Sequence, residues 1–417
     1  MVADLLRALL GMAVLLGLCV LLSENRKRIN WRLVGGGMTL QLILALLFLV
    51  VPGGSQIFDG LASFFVWITG FSSAGAEFVF GPLASPSSED GIGFVFAFQV
   101  LPTIIFFSSL CSLLYYLGVL QKIVWAFAWV TKKFMRLSGA ESLAAAASVF
   151  LGQTESPLMV KPYIEKMTRS EIFALMTSGM GTIAGGVLVA YIIILGGADP
   201  AQQQAYAKFL LCASFMAAPA SLVVAKILIP EMGRPEEALD VPKDRMGANF
   251  LDALANGTSE GLKLALNVGA MLIAFIAFSA LVNAGLTKIH PELSLGSLLG
   301  WAFAPFAWLI GVENGDVRSV GSLLGTKVLL NEFVAYKDLG VMKEAGMSAK
   351  SVYLSTFALC GFANFSSIGI QLGGTGSLAP NQRPVLASLG FKAVLAGTVT
   401  TMITATLAGG LYQWAAG

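Results

Sequence analysis

The stretch Ala144-Ala145-Ala146-Ala147-Ser148-Val149-Phe150-Leu151-Gly152-Gln153-Thr154-Glu155-Ser156-Pro157-Leu158-Met159-Val160 decides how this chain is read. Its opening residues are small or apolar and suit a helix, but they are too few to cross a bilayer, which takes about 20. Gly152 to Pro157 then interrupt the run with a glutamine, a threonine and a glutamate before apolar sequence resumes. Two half-length helical pieces meeting at a polar, proline-containing break describe a re-entrant hairpin over residues 141–166. Backbone leaves helical geometry at membrane depth only where protein or a watery cavity satisfies it.

The surrounding sequence agrees. Of 417 residues, 56% are hydrophobic and only 12% charged, and the mean hydropathy is +0.78. A soluble chain carries about 25% charged residues to stay dissolved. The net charge of +2 is too balanced to argue for a nucleic-acid partner. The 46 glycines suit closely packed membrane helices. Cys19, Cys111, Cys212 and Cys360 lie apart in apolar runs, without metal spacing, and read as small hydrophobes. His290 is the only histidine, which excludes most metal sites and any multi-histidine proton relay.

Apolar runs at about 2–22, 33–52, 92–118, 171–195, 205–230, 260–287, 351–372 and 391–413 predict eight spans. The first is followed by Ser23-Glu24-Asn25-Arg26-Lys27-Arg28 rather than a small-residue cleavage site, so it reads as an uncleaved span. Residues 54–85, 121–138 and 294–312 mix aromatic with polar or basic residues and read as three interfacial helices. Residues 313–340 repeat the hairpin pattern, ending in Asn331-Glu332-Phe333, and 231–256 read as a charged linker. The predicted fold is an all-α polytopic membrane protein with two re-entrant hairpins.

Basic residues at 26–32, 122–136, 234–245 and 383–392 fall on one side, taken as cytoplasmic, which puts both termini outside. Lys327, Lys337, Lys343 and Lys350 then fall near the outer side, against the rule, and Asp338 and Glu344 do not offset them. An internal repeat is visible. Phe173-Ala174-Leu175 leads to Gly181-Thr182-Ile183, and Phe357-Ala358-Leu359 leads to Ser366-Ser367-Ile368. An odd number of spans between the copies makes them inverted. The predicted division is 1–118 scaffold with an interfacial helix, 119–230 first transport repeat with hairpin 1, 231–290 linker and scaffold helix, and 291–417 second transport repeat with hairpin 2.

Glu155 and Glu332 lead the candidate residues. A charged side chain at membrane depth costs about 2.5–3.5 kcal/mol and persists where a cavity, partner or ligand compensates. The plain readings are ion pairs, Glu155 with Lys161 and Glu332 with Lys327 or Lys337; the position of each glutamate at a helix break favours function. Gln153, Asn364, Ser366 and Ser367 add neutral donors and acceptors, with interhelical hydrogen bonding as their plain role. No arginine lies in the first break, as an anionic substrate would want. The site reads as built for a neutral, hydroxyl-rich, amide-bearing molecule.

Gly152-Gln153-Thr154-Glu155-Ser156-Pro157-Leu158, Asn331-Glu332-Phe333-Val334-Ala335-Tyr336 and Gly361-Phe362-Ala363-Asn364-Phe365-Ser366-Ser367-Ile368 together resemble the concentrative nucleoside transporter family. Gly261 to Met271 and the opening through Asn25-Arg26-Lys27 are similar to it as well, so the resemblance spans essentially the whole chain. It implies a homotrimer in a bacterial inner membrane, each protomer having a scaffold and a mobile transport domain that gives alternating access. It implies that Gln153, Thr154 and Glu155 face the nucleobase, that Glu332, Asn364 and Ser367 hold the ribose, and that Phe362 and Leu264 pack against the nucleoside. The family's sodium site corresponds to Ser148, Leu151, Thr182 and Ile183. Sodium-coupled members carry Asn where this chain has Ser148, and some members with serine are proton-coupled. That departure favours H+ over Na+ as coupling cation, with Glu155 as proton carrier and no other cofactor. Rival readings are an intramembrane enzyme using Glu155 and Glu332 as acid and base, a channel, and a transporter of another neutral solute such as a sugar or nucleobase.

Overall fold

The computed structural model describes residues 2–84, 95–197, 199–233, 235 and 247–415. Every regular element among them is helical. The chain opens with α1 (Val2–Leu21), α2 (Trp31–Leu49), α3 (Pro52–Phe80), the single turn α4 (Phe96–Gln99), α5 (Leu101–Tyr116) and α6 (Val119–Met135). Then come α7 (Gly139–Ser148), a 3-10 stretch Ser156–Val160 running into α8 (Lys161–Ile164), α9 (Arg169–Gly181), α10 (Gly185–Gly196) and α11 (Pro200–Leu228). The helix α12 (Phe250–Ile289) is 40 residues long. The chain closes with α13 (Leu295–Leu309), α14 (Val317–Leu329), α15 (Glu332–Glu344), α16 (Ala349–Leu359), α17 (Phe365–Leu378), α18 (Arg383–Gly410) and the turn α19 (Tyr412–Ala415).

The two halves repeat one order: a short helix, a break and a second helical piece; then a helix broken midway; then one long helix. In the first half these are α7 to α8, α9 with α10, and α11. In the second they are α14 with α15, α16 with α17, and α18. The sequence reading treats 171–195 and 351–372 as single spans, and both are in fact broken, at 182–184 and 360–364. Hydropathy misses these breaks because the interrupting residues are small or apolar except for Thr182 and Asn364. A polar cap rather than a drop in hydropathy marks the restart: Asn364 Oδ1 accepts from Ser367 N at 2.9 Å. Asn331 does the same for α15, accepting from Val334 N at 3.0 Å. Each cap satisfies an N–H group that the first helical turn leaves unpaired.

The two broken helices cross at their breaks. Phe362 N donates to Thr182 O at 3.3 Å. Gly361 permits this approach, since a Cβ there would lie 2.9 Å from Met180 O and 2.8 Å from Thr401 Cγ2. Around them α11 and α18 pack against both α9 and α16. In α11, 94% of its most apolar window is buried, against 6% for α12. The core therefore sits around α11, and α12 presents an apolar surface outward.

Eight helical segments among the described residues are long and apolar enough to cross a membrane. The number matches the expectation, but the membership differs. Residues 52–84 qualify, whereas 349–378 is divided into pieces of 11 and 14 residues. Segment 54–85, expected to lie in the interface, is thus a helix of spanning length. Its ends are held by Asp59, paired with Lys208 at 2.8 Å, and by Phe80, 5.1 Å from Phe98 between ring centroids.

Two further expectations are corrected, and the break of the second interrupted pair is located. Helix α12 begins at Phe250, so the linker ends earlier than 256; residues 234 and 236–246 of it lie outside the described residues. The polar residues Glu313 to Asp316 form the turn joining α13 to α14, while the break of the second interrupted pair is at Leu330-Asn331. Lys327 is not on an outer surface; it is fully buried.

One end of the bundle is tied together by charge. Glu24, in the α1–α2 loop, meets Arg169 at 3.1 Å and Lys392 at 2.6 Å. Partial burial raises its pKa, but the bonds to Lys392 and Arg169 outweigh this and hold it below the usual carboxylate value. Nearby, Lys226 bridges Glu141 and Glu231 and donates to Ser170 Oγ at 2.9 Å. Glu141 and Glu171 also close capping boxes with Ser138 and Thr168, which start α7 and α9.

Candidate functional site

The two breaks and the two caps converge on a chain of buried polar side chains. Gln371 Nε2 donates to Gln153 Oε1 at 3.2 Å, and Gln153 Nε2 donates to Ser367 Oγ at 2.9 Å. Asn364 ties this to the second glutamate: its Oδ1 holds Ser367 N, and its Nδ2 donates to Glu332 Oε2 at 2.9 Å. Tyr191 OH donates to the other oxygen, Glu332 Oε1, at 3.0 Å. Gln153, Glu332, Asn364, Ser367 and Gln371 are all buried, and Tyr191 is fully so. Residues from all four broken segments are thereby joined, through hydrogen bonds that a polyol or amide ligand can exchange for its own.

Glu155 stands at the edge of this network. Its Oε2 accepts from Gly152 N at 2.5 Å. It lines a cavity of about 310 Å³ between the first break and helices α5 and α12. Leu264 and Leu151 share that cavity with it, as do Ser108, Asn256 and Glu260. Gln153, Glu332, Phe362, Asn364 and Ser367 do not line it; they lie behind it. Phe362 is buried at the crossing of the breaks, and Thr154 is exposed, its methyl 3.5 Å from where a Cβ on Gly374 would sit. The structure therefore gathers the predicted residues as a buried group and a cavity group, which meet at Gly152-Gln153. Neither Glu155 nor Glu332 forms a salt bridge among the described residues, so the ion pairs with Lys161, Lys327 and Lys337 are not made.

Two residues that the sequence reading passed over belong here, together with Lys327, which it took only as an ion-pair partner of Glu332. Tyr191 lies in an unbroken apolar run, where only its hydroxyl signals a role. Gln371 follows Ser367 by four residues and Asn364 by seven, the spacing of one helical face, and that periodicity is a usable signal. Lys327 donates to Ala358 O at 2.9 Å and Thr401 Oγ1 at 2.8 Å, beside the second break.

The four residues of the expected cation site are brought together at the first break. Thr182 Oγ1 lies 2.8 Å from both Ser148 O and Ser178 O. One hydroxyl proton faces two carbonyls, so one of them keeps a lone pair available. These three oxygens suit a hard cation. The Ser148 hydroxyl is turned away from them, toward Ala144 O at 2.9 Å and Ser156 Oγ at 3.1 Å. Leu151 and Ile183 bury apolar side chains and have only backbone oxygen to offer.

Comparison with known proteins bears directly on this arrangement. Residues 10–83 and 209–409 match the sequence models of the N-terminus and C-terminus of the Na+ dependent nucleoside transporters, and 97–198 match a nucleoside-recognition Gate model. The nucleoside permease NupC of Helicobacter pylori is 40% identical over 98% of this chain and 98% of its own length. The putative nucleoside permease NupX of Escherichia coli is 37% identical over 97% and 98%. Solute carrier family 28 member 3 of Rattus norvegicus is 39% identical over 96% of this chain and 57% of its own. A structure of CNTnw in an inward-facing substrate-bound state superposes with a TM-score of 0.92 at 41% identity, covering 98% of each chain. A CNTnw variant in an outward-facing state gives 0.91 at 40%, also over 98% of each. The relatives are permeases and not enzymes, which removes the acid–base hydrolase reading, and this chain belongs to the Na+ dependent, or concentrative, nucleoside transporter family.

Proposed function

We propose that this protein imports nucleosides by symport with a cation, that the cation is the proton, and that Glu155 carries it. The observation that carries the nucleoside reading is the continuous network from Gln371 through Gln153, Ser367 and Asn364 to Glu332 and Tyr191. It presents amides for a base edge and a carboxylate for vicinal hydroxyls, with no arginine to attract an anion. Gln153, Thr154 and Glu155 would face the base, Glu332, Asn364 and Ser367 the ribose, and Phe362 and Leu264 the nucleoside's apolar faces. Labelled uridine or adenosine should accumulate above equilibrium in proteoliposomes under an imposed cation gradient. Uptake of no nucleoside under any gradient would sink the reading.

Two features support the proton. The Ser148 side chain spends its hydrogen on neighbours and does not reach the three-oxygen cluster at Thr182. Glu155 lines a cavity and has no cation bonded to it among the described residues, so a proton can neutralise it. Uptake should rise as the outside is acidified and change little with sodium, and Glu155→Gln should lose the pH response. Steep sodium dependence at fixed pH would favour the second reading, which the three oxygens around Thr182 and the family's Na+ dependence support. Ser148→Asn should increase sodium dependence on the first reading.

The two repeats would move against the remaining helices as a transport domain, with hairpins at 141–166 and 313–340 and interfacial helices at α3, α6 and α13, in a homotrimer of a bacterial inner membrane. Contacts support one orientation. The α1–α2 loop, the start of α9 and the start of α18 meet through Glu24, Arg169 and Lys392, and Gly36 packs on the backbone of Phe134 near the end of α6. Three of the four basic segments thus gather at one end, the cytoplasmic one, with both termini outside.

Tyr191→Phe offers a narrow test of the ribose site. The ring stays packed on Tyr336, 4.3 Å between centroids, while the bond to Glu332 is lost. A hydrogen bond to a charged group is worth about 1.5–3 kcal/mol. Loss of the bond should lower the melting temperature of the empty protein, and if Tyr191 also holds the carboxylate in place for a ribose, isothermal calorimetry should show uridine affinity falling roughly tenfold. Unchanged affinity would mean that Tyr191 only fills space.

A further inference from the structure

A second cavity lies toward the other end of α12. It encloses about 340 Å³ between α12, the start of α13, α14 and α15, against about 310 Å³ for the one that Glu155 lines. Pockets for small ligands begin near this size. One wall is tightly built: a Cβ on Gly321 would lie 2.6 Å from Gly300 O, so the backbones of α13 and α14 are pressed together. The space is therefore not slack packing between those two helices.

The polar groups of this cavity are left open. Ser279, Asn283, Ser322, Thr326, Lys337 and Asp338 line it. Thr326 is only 7% exposed, yet its hydroxyl has no hydrogen-bond partner among the described residues. The hydroxyls of Thr356, Thr398 and Thr404, by contrast, donate to carbonyls of their own helices. Asn283 accepts from Leu295 N at 2.7 Å through its oxygen and keeps its amide N–H groups. Lys337 and Asp338 take part in no salt bridge among the described residues. Lys337 is also one of the lysines that the sequence reading leaves on the outer side against the positive-inside rule. Unpaired polar groups in a half-closed space are costly. Water satisfies hydroxyls, but it needs neither the ammonium nor the carboxylate.

The cavity also backs onto the buried network. Leu330 and Val334 line it, whereas Glu332 between them turns the other way, to Tyr191 and Asn364. The first turn of α15 is the partition. The two sides of that partition carry the same chemistry, a carboxylate, an asparagine amide and a hydroxyl: Glu332, Asn364 and Ser367 on one, Asp338, Asn283 and Thr326 on the other. We infer that this cavity is a second nucleoside site, an entry site on the outer side that holds the ligand before it reaches Glu332. The inference rests on the nucleoside reading and the orientation proposed above. Asp338 accepts from the ribose hydroxyls, Lys337 and the Asn283 amide donate to base carbonyls, and Leu330 and Val334 give the base an apolar wall. Lys337 is exposed, so its bonds form against water and this site is the weaker of the two.

Equilibrium dialysis of labelled uridine against the intact purified protein tests this without transport. The parent should show two classes of site per chain. Glu332→Ala should weaken only the tighter class. Asp338→Asn should weaken the other class about tenfold, and Thr326→Val roughly two- to tenfold, with the tighter class intact in both. Retention of the tighter class shows that these variants are folded. A single class in the parent, or a weaker class that neither variant moves, overturns the proposal and leaves the transport site standing. Loss of both classes together in Asp338→Asn overturns it too, and assigns Asp338 to the packing of α15. Tighter binding of uridine 5′-monophosphate than of uridine at the weaker class would make the cavity an anion site on Lys337, which also overturns it. Binding of neither uridine nor adenosine by the parent would overturn the nucleoside reading itself.

Discussion

Replacing Glu332 by alanine is expected to weaken uridine binding roughly ten- to hundredfold, because a charge-assisted hydrogen bond is worth about 1.5–3 kcal/mol. The loss has two sources that can be separated. Without substrate the carboxylate already accepts from Tyr191 and from Asn364, so alanine leaves two buried donors unpaired. That part is structural and should lower the melting temperature of the empty protein. The second part belongs to the ligand. Ribose hydroxyls donate to Glu332 once it is reached, and a nucleoside lacking one contacted hydroxyl has less to lose. Calorimetry with uridine and its 2′- and 3′-deoxy analogues, on parent and variant, gives the comparison. The parent should bind the analogue that lacks the contacted hydroxyl less tightly, and the variant should narrow the gap. Equal losses for all three ligands would make Glu332 a structural anchor of Tyr191 and Asn364 and nothing more.

Much of this site was legible in the chain, for a physical reason. Gln153, Glu155, Glu332 and Asn364 are polar residues in apolar surroundings, and such residues persist at membrane depth when something compensates them. What was not legible is their grouping. That Glu155 opens to a cavity while Glu332 is closed behind it depends on how α5 and α12 pack on the first break. The broken helices were missed because Gly181-Thr182-Ile183-Ala184 and Cys360-Gly361-Phe362-Ala363 are nearly as apolar as the helices they interrupt. The break is specified by a tertiary contact, Phe362 N on Thr182 O, and by a glycine small enough to permit it. For α3 the polar residues Asp59 and Glu77 suggested an interfacial segment, and its unbroken length, Pro52 to Phe80, was not legible from them.

Lys327 was misplaced for the same reason, and its substitution should have the second large effect. A lysine near the end of a short amphipathic stretch reads as a surface residue; packing makes it one of the largest fully buried side chains in the protein. Its ammonium has no carboxylate in salt-bridge range among the described residues. It sits instead at the C-terminal end of α16, on the Ala358 carbonyl, with the Thr401 hydroxyl as its other partner. Carbonyls at a helix end carry partial negative charge and favour a cation. The second break thus holds a covalently attached cation, while the corresponding break of the first half offers oxygens around Thr182. Burying a charge is costly, so Lys327→Met trades two hydrogen bonds for relief of that cost, and the melting temperature should change little or rise. Function should not survive so well. Lys327 ties the end of α16 to α18 just before the second break, so without it the break that places Asn364 beside Glu332 should loosen. Uridine affinity should fall about tenfold in Lys327→Met, about 1.4 kcal/mol. The loss should be smaller in the Glu332→Ala background, where no carboxylate remains to be positioned. An affinity loss that is additive with Glu332→Ala would assign Lys327 to the packing of α16 and α18 alone.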